Sequence, residues 1–296
     1  MEESQLVLHK EVSFLNTKQK ILEGVIVPMV TPITAAGDVD YEGAVELAKW
    51  LVHNGMDGLF LAGTTGRFSH FTPLQNMKIC SAVAKAVGNQ VTIYGGACDS
   101  GLHRILENVR LMKEAGADFV VTTAPYYLPY AMHEAEDVLR KVADVSPLPV
   151  IYYNIPPFVG YGLRAEFLTE MADHPNVVGY KDSANDIVHH LDVLKFTKDK
   201  SFNVLSGKEK TFIEGFKAGS KGLVVAFANV YPKLYADLLQ SVKQGNWSQA
   251  EILQKKAIQN LEDYYIAAYN ARPVFSTMMI YMEDLLRNQG IQVKLS

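Results

Sequence analysis

The sequence predicts an α/β fold: a closed (β/α)8 barrel, or TIM barrel, with a C-terminal helical appendage. Eight short apolar runs alternate with longer amphipathic stretches, which is the pattern of a repeated βα unit. The runs are apolar at nearly every position, as expected for parallel strands covered on both faces. Eight strands close such a barrel, and 296 residues suffice to build it around one large core. In chain order, the predicted strands span residues 25–27, 58–61, 91–94, 119–121, 150–153, 177–180, 202–205 and 222–225.

The predicted helices carry their own boundary signals. The second helix begins with Thr72 as N-cap and Pro73 at the first helical position, and Gln75 completes a capping box. The loop over residues 62–71 therefore lies between a strand and a helix, on the carboxyl-terminal face of the barrel. Three helix-to-strand joints place a glycine where a left-handed helix cap is expected, namely Gly55, Gly116 and Gly219.

The same pattern suggests how the chain is divided. Residues 21–245 should form the catalytic barrel, with its last helix over residues 231–244. Residues 246–296 should form a C-terminal helical region without a further strand, and residues 1–20 a weakly docked N-terminal extension. A division into two domains is the alternative organisation for a chain of this length.

Composition narrows the classes of function. The net charge of -4 and the absence of a Lys/Arg block disfavour nucleic acids and membrane surfaces as partners, so small molecules are the expected ligands. Residues 1–20 are too charged for a signal peptide, and no apolar run approaches the ~18 residues of a membrane span, so we expect a cytoplasmic protein. Cys80 and Cys98 form no CxxC pair and are expected to be inert thiols. The histidines form no HExxH motif and no dinucleotide fingerprint occurs, so neither a metal nor another cofactor is expected.

The first candidate for chemistry is Lys181, which ends the apolar run at residues 177–180 and so places an amine at the rim of the core. Tyr153 ends the preceding strand in the same way. Neighbouring barrel strands lie about 4.8 Å apart, so both side chains can reach one small ligand. A lysine that attacks a carbonyl must be neutral, which requires a desolvated pocket, and a phenol beside it can transfer protons. The alternative is a lysine whose stem packs in the core while its ammonium group reaches water.

The loops after strands 2 and 4 add further candidates. Gly63, Thr64, Thr65 and Gly66 place two hydroxyls between two glycines, an arrangement that lets a carboxylate approach side-chain and backbone donors closely. Tyr127 follows strand 4 in a proline-bounded loop. Threonine and glycine are also ordinary turn residues, and a loop tyrosine is often a packing or interface residue. It is their coincidence with the lysine and the tyrosine at neighbouring strand ends that indicates a site.

Four motifs follow one another along the chain: GTTG at 63–66, APYY at 124–127, YYNIP at 152–156 and YKDS at 180–183. In this order they resemble the pyruvate-dependent Schiff-base aldolase family, which includes dihydrodipicolinate synthase, N-acetylneuraminate lyase and 2-keto-3-deoxy-gluconate aldolase. The resemblance implies that Lys181 forms an imine with pyruvate and that Tyr153 is the acid/base group. It further implies that Thr64 links Tyr153 to Tyr127, which a neighbouring subunit often contributes, and that Thr65 helps to hold the pyruvate carboxylate. A homotetramer, arranged as a dimer of dimers, is implied as well.

Three positions depart from the family pattern. Arg67 stands where a glutamate commonly follows GTTG. Phe158 stands two residues after Pro156, where dihydrodipicolinate synthases carry an arginine for the second substrate's carboxylate. After Gly207, where sialic acid lyases carry an Asp-Glu pair for sugar hydroxyls, only Glu209 can substitute. We therefore expect Arg67, Gly207 and Glu209 to line the substrate site, with Arg67 binding the distal end of the substrate or pairing with Glu209. The alternative is an arginine that faces solvent.

The leading functional interpretation is a lyase that makes or breaks the carbon-carbon bond next to pyruvate through an imine on Lys181. A 2-keto-3-deoxy sugar acid or a related 2-oxo acid is the expected substrate. The alternatives are a condensation of the dihydrodipicolinate synthase type, a dehydratase of 2-keto-3-deoxy acids, and a barrel that binds a 2-oxo acid without turning it over. The last is disfavoured because a binding protein does not need a nucleophile.

Overall fold

A computed structural model describes residues 22–269 and 275–296, and its eight parallel strands close into a barrel. Each strand pairs with the next one in sequence, and the last pairs with the first. The predicted (β/α)8 fold is therefore confirmed. The extension predicted over residues 1–20 lies outside the described residues. The strands are β1 (Gly24–Pro28), β2 (Gly58–Leu61), β3 (Thr92–Gly96), β4 (Phe119–Thr123), β5 (Val150–Asn154), β6 (Val177–Asp182), β7 (Asn203–Ser206) and β8 (Gly222–Val224).

Helices cover the outside of the barrel, and two more follow it. Helix α5 is a single turn inserted directly after β5, and α6 then makes the crossover to β6. No further strand follows β8 in the part of the chain that the structure describes. The helices are α1 (Tyr41–His53), α2 (Pro73–Val87), α3 (Leu102–Ala115), α4 (Met132–Val145), α5 (Pro156–Val159), α6 (Ala165–Met171), α7 (Ile187–Phe196), α8 (Phe212–Ala218), α9 (Pro232–Lys243), α10 (Trp247–Tyr269) and α11 (Phe275–Asn288).

The helix boundaries follow the signals seen in the sequence. The Gln75 backbone N–H donates to Thr72 Oγ1 at 3.2 Å, and the Thr72 N–H donates to Gln75 Oε1 at 2.9 Å, which is the predicted capping box. Gly116 and Gly219 cap α3 and α8 in the left-handed region, and Gly55 adopts a positive φ just after α1. These local contacts fix where each helix begins or ends and so fix the lengths of the loops at both ends of the barrel.

Apolar side chains form two clusters, one between the barrel and its helices and one inside the barrel. The alternation along β5 places Ile151 and Tyr153 in the inner cluster and Tyr152 in the outer one. Leu22 belongs to the inner cluster, and its carbonyl accepts a hydrogen bond from Asn203 Nδ2 at 2.9 Å at the amino-terminal end of the barrel. The interior is thus packed, and the loops at the carboxyl ends of the strands are where a ligand can bind.

Among the described residues, no helix combines the length and apolar character that crossing a bilayer requires.

Candidate active site

Lys181 and Tyr153 lie side by side at the carboxyl ends of adjacent strands. They are register partners between β6 and β5, as expected for residues that end neighbouring strands. Both are buried, and Lys181 Nζ lies 3.7 Å from the centroid of the Tyr153 ring and 5.1 Å from that of Phe60. The amine therefore sits among aromatic rings at the top of the barrel core, where it is shielded from bulk water.

The buried position of the Lys181 amine favours its neutral form. Burial lowers the pKa of Lys181 from 10.5 to about 7, the thiol of Cys98 acts to raise it, and Lys208 acts to lower it further. A group with a pKa of about 7 is neutral in about half of the molecules at pH 7. A neutral amine carries the lone pair that attacks a carbonyl, so the geometry provides a nucleophile at neutral pH.

Two hydroxyl groups contact the phenol of Tyr153. Burial raises the pKa of Tyr153, while hydrogen bonds with Thr64 and Ser183 act in the opposite direction. Thr64 was anticipated from the sequence, whereas Ser183 was not assigned a role even though it lies in the YKDS motif. The Ser183 N–H donates to the Asn154 carbonyl at 2.9 Å, which continues the pairing of β5 and β6 and holds the serine beside the phenol. Tyr153 thus has two neighbours that can relay a proton.

Gly207 lies at the end of β7, against the same serine. Its N–H donates to the Asp182 carbonyl at 2.7 Å, and a Cβ added to it would come within 2.7 Å of that oxygen and still closer to Ser183 Oγ. A side chain at position 207 would therefore displace Ser183. Gly207 was predicted to contact substrate. In the structure, its lack of a side chain also leaves room for Ser183.

The carboxylate of Asp182 points away from Lys181 into a buried hydrogen-bonded network. Its oxygens lie 3.1 Å from His190 Nδ1, and they accept from Asn154 Nδ2 at 3.2 Å and from the Ala184 N–H at 3.0 Å. Burial raises the pKa of Asp182, but the contacts with His190 and with the Ala184 N–H outweigh burial and hold it below its usual value. The network anchors the end of β6 and so orients the strand that carries Lys181.

The GTTG loop packs tightly on the barrel through its two glycines. A Cβ at Gly63 would lie 2.8 Å from the Phe60 ring, and one at Gly66 would lie 2.9 Å from the Met29 carbonyl oxygen. The Gly66 carbonyl also accepts a hydrogen bond from Thr31 Oγ1 at 2.7 Å. Both glycines therefore face protein atoms, and their small size holds the two threonines between them at the mouth of the barrel.

An open pocket of ≈ 280 Å³ lies at this mouth. Thr64 and Arg67 are the predicted site residues that line it, whereas Thr65 is buried beside them. The remaining lining residues come from the end of β4, from α5 and from the loops after β2, β4 and β5, and no spacing signal in the sequence would have joined them. They are Phe68, Ser69, His70, Thr123, Tyr126, Ile155, Phe158 and Val159.

Arg67 lies in the pocket wall rather than in open solvent. Its Nη2 donates to the Thr31 carbonyl at 3.1 Å, and its guanidinium lies 5.7 Å from the centroid of the Phe71 ring. Partial burial lowers its pKa. Within the described residues it makes no ion pair with Glu209, so the suggested Arg67–Glu209 pair is wrong.

Glu209 lies elsewhere because the turn after β7 directs its side chain into the protein. The carboxylate is buried and accepts a hydrogen bond from Tyr235 Oη of α9 at 3.3 Å, and burial raises its pKa. It is absent from the residues that line the pocket. The structure therefore does not bring Glu209 together with the other candidates.

Tyr127 does not reach the pocket of its own chain. Its side chain is 90% exposed, and its backbone adopts a φ of 80°, a left-handed conformation that is unfavourable for a tyrosine. Tyr127 therefore presents its phenol to the outside of its own barrel.

A buried lysine beside a tyrosine with hydroxyl neighbours, at the carboxyl end of a (β/α)8 barrel, defines a Schiff-base-forming lyase of the class I aldolase type. Comparison with known proteins identifies the group more narrowly. The model of the dihydrodipicolinate synthetase family matches residues 21–288, and the chain belongs to this family.

Individual relatives agree with this assignment. The chain is 33% identical over 239 residues to 4-hydroxy-tetrahydrodipicolinate synthase 1 of Streptomyces coelicolor, which covers 81% of this chain and 77% of that one. It is 31% identical over 236 residues to an uncharacterised DapA-like lyase of Pyrobaculum arsenaticum, with 79% and 78% covered. Among solved structures, YagE, a prophage protein of the dihydrodipicolinic acid synthase family from E. coli K12 in complex with pyruvate, superimposes with a TM-score of 0.83 at 25% identity, covering 93% of this chain and 91% of that one.

Proposed function

We propose that this protein forms a Schiff base between Lys181 and pyruvate, or a 2-keto-3-deoxy acid, and makes or breaks the adjacent carbon-carbon bond. The observation that carries the proposal is the buried amine of Lys181, with a pKa lowered to about 7, next to the phenol of Tyr153. The pyruvate complex of YagE supports pyruvate as the 2-oxo acid.

The first half of the reaction forms the imine. The neutral Nζ of Lys181 attacks C2 of pyruvate, and the carbonyl oxygen takes a proton from Tyr153 to give a carbinolamine. The nitrogen then loses its proton through Tyr153, and the hydroxyl leaves as water once it has been protonated. Thr64 and Ser183 hydrogen-bond the phenol and can return protons to it. We propose that Thr65, which is buried next to Thr64, helps to hold the pyruvate carboxylate.

The second half makes or breaks the carbon-carbon bond. Loss of a proton from C3 of the imine gives an enamine, whose C3 can attack the carbonyl carbon of an aldehyde. The aldehyde oxygen takes up a proton, and water hydrolyses the imine to release the product and regenerate the amine. Cleavage is the same sequence in reverse.

The exposed side chain of Tyr127 supports a homo-oligomeric enzyme. Its exposed ring cannot join Thr64 within one chain, so we propose that it completes the proton relay of a neighbouring subunit in a homotetramer arranged as a dimer of dimers. Cytoplasmic localisation is part of the same proposal.

A condensation of the dihydrodipicolinate synthase type is the second candidate, and the name of the S. coelicolor relative favours it. Phe158, which lines the pocket where those synthases carry an arginine, disfavours it, because a phenyl ring cannot pair with a carboxylate. A dehydratase would use the same imine, and assays with 2-keto-3-deoxy acids for pyruvate release or for loss of water separate it from an aldolase.

The decisive test is reductive trapping. The protein is incubated with pyruvate, reduced with borohydride and digested, and the adduct is located by mass spectrometry. An adduct on Lys181 that is absent from the Lys181→Ala variant is the expected result. An adduct on another lysine, or none, contradicts the proposal.

A further inference from the structure

The pocket has an apolar side that imine chemistry with pyruvate does not require. Phe68, Tyr126, Ile155, Phe158 and Val159 all line it. The rings of Phe68 and Tyr126 meet edge to face, with centroids 6.1 Å apart and an interplanar angle of 75°, so these two rings pack against each other on this side of the pocket.

Phe158 is the most exposed of the apolar residues that line the pocket. It lies on α5, directly beyond β5, and is 63% exposed although it lines the pocket. A phenyl ring held at the mouth of a pocket gains by being covered with apolar surface, because the covered area is removed from water.

Five polar residues also line the pocket, and part of their hydrogen-bonding capacity is already used within the protein. They are Thr64, Arg67, Ser69, His70 and Thr123. Thr64 is hydrogen-bonded to Tyr153, and one Arg67 nitrogen is already bound to the Thr31 carbonyl. Glu209, the carboxylate expected to bind sugar hydroxyls, is buried against Tyr235 instead. The residues that line the pocket therefore include no carboxylate to accept hydrogen bonds from sugar hydroxyls, and half of them are apolar or aromatic.

We infer that the second substrate is an aromatic aldehyde whose ring packs among Phe68, Tyr126 and Phe158. The inference rests on the proposed function, since the aldehyde reacts with the enamine of pyruvate on Lys181. In that step C3 of the enamine bonds to the aldehyde carbon, the aldehyde oxygen gains a proton to become a hydroxyl, and water releases a 4-aryl-4-hydroxy-2-oxobutanoate. No oxidant or reductant is consumed.

The test compares benzaldehyde with D-glyceraldehyde, each supplied with pyruvate, and quantifies the condensation products by chromatography and mass spectrometry. We expect kcat/KM for benzaldehyde to exceed that for glyceraldehyde by about tenfold or more. In Phe158→Ala that ratio should fall about tenfold. Phe196→Ala is the matched control, because Phe196 is an exposed phenylalanine on α7 outside the pocket, and its ratio should equal that of the wild type.

Trapping with pyruvate alone distinguishes failure of the aromatic subsite from failure of the proposed function. If the Lys181 adduct forms but glyceraldehyde reacts as well as benzaldehyde, the aromatic subsite is refuted and the proposed function stands. If no adduct forms, the proposed function fails and the inference fails with it. An equal loss of both aldehyde activities in Phe158→Ala would also overturn the subsite, because it would show that the ring supports the loop rather than the substrate.

Discussion

Replacing Lys181 by Met should stabilise the folded protein while abolishing the pyruvate adduct. Burial lowers the pKa of this lysine from 10.5 to about 7. Since one pKa unit corresponds to about 1.4 kcal/mol, keeping an ionisable amine at this site costs about 5 kcal/mol of folding free energy at pH 7 and below. Methionine has a similar length, adapts to irregular space and carries no charge, so we expect the variant to recover a few kcal/mol of this cost at pH 6.

The pH dependence is the sharper part of this prediction. Between about pH 7 and pH 10.5, the unfolded chain binds more protons at Lys181 than the folded protein does, so wild-type stability gains from rising pH at this site. Methionine does not titrate. The advantage of the variant should therefore shrink by about 2–3 kcal/mol between pH 7 and pH 9, at up to about 1.4 kcal/mol per pH unit.

Urea titrations of both proteins at pH 6, 7 and 9 measure this difference. Protein concentrations must match, because assembly contributes to apparent stability. Lys256→Met, on an exposed position of α10, is the control for loss of a positive charge. A difference that does not change with pH, or a Lys181→Met variant less stable than wild type at pH 6, would refute the reasoning, because the amine would then be charged and favourably paired in the folded state.

Four further outcomes are expected. Tyr153→Phe should lower turnover on the order of 10²-fold or more in steady-state assays, because it removes the proton carrier and keeps the ring; unchanged turnover would mean that the phenol only packs. Tyr127→Phe and Lys181→Ala should each be nearly inactive alone, whereas refolding a mixture of the two should restore part of the activity, since a hybrid contains a site with an intact lysine and an intact neighbouring tyrosine; no recovery would argue against the shared site. Arg67→Ala should raise KM for the aldehyde about tenfold, because it removes a charged donor that lines the pocket and can hydrogen-bond the aldehyde oxygen; an unchanged KM would place the guanidinium outside the substrate's reach. Gly96→Ala should destabilise the protein by about 1–3 kcal/mol or more in urea titrations, because its Cβ would collide with a backbone carbonyl oxygen after β2; an unaffected midpoint would show that the loop can move aside.

The sequence was sufficient for the fold and for the central pair of residues. Apolar runs and helix caps are local signals, and they place Lys181 and Tyr153 at the ends of their strands without knowledge of the rest of the chain. Once eight strands close in sequence order, residues that end β5 and β6 must be neighbours, so their adjacency followed from strand spacing alone.

The direction of the loop side chains was decided only by tertiary packing. Glu209 turns toward Tyr235. Ser183 fits beside Tyr153 because Gly207 leaves room for it. The apolar side of the pocket brings together residues that are far apart in the sequence. A loop side chain has no periodic pattern that fixes its direction, so its contacts depend on which distant residues occupy the surrounding space. The sequence therefore determined where Lys181 and Tyr153 meet, whereas the tertiary structure determined the shape and polarity of the pocket at the mouth of the barrel.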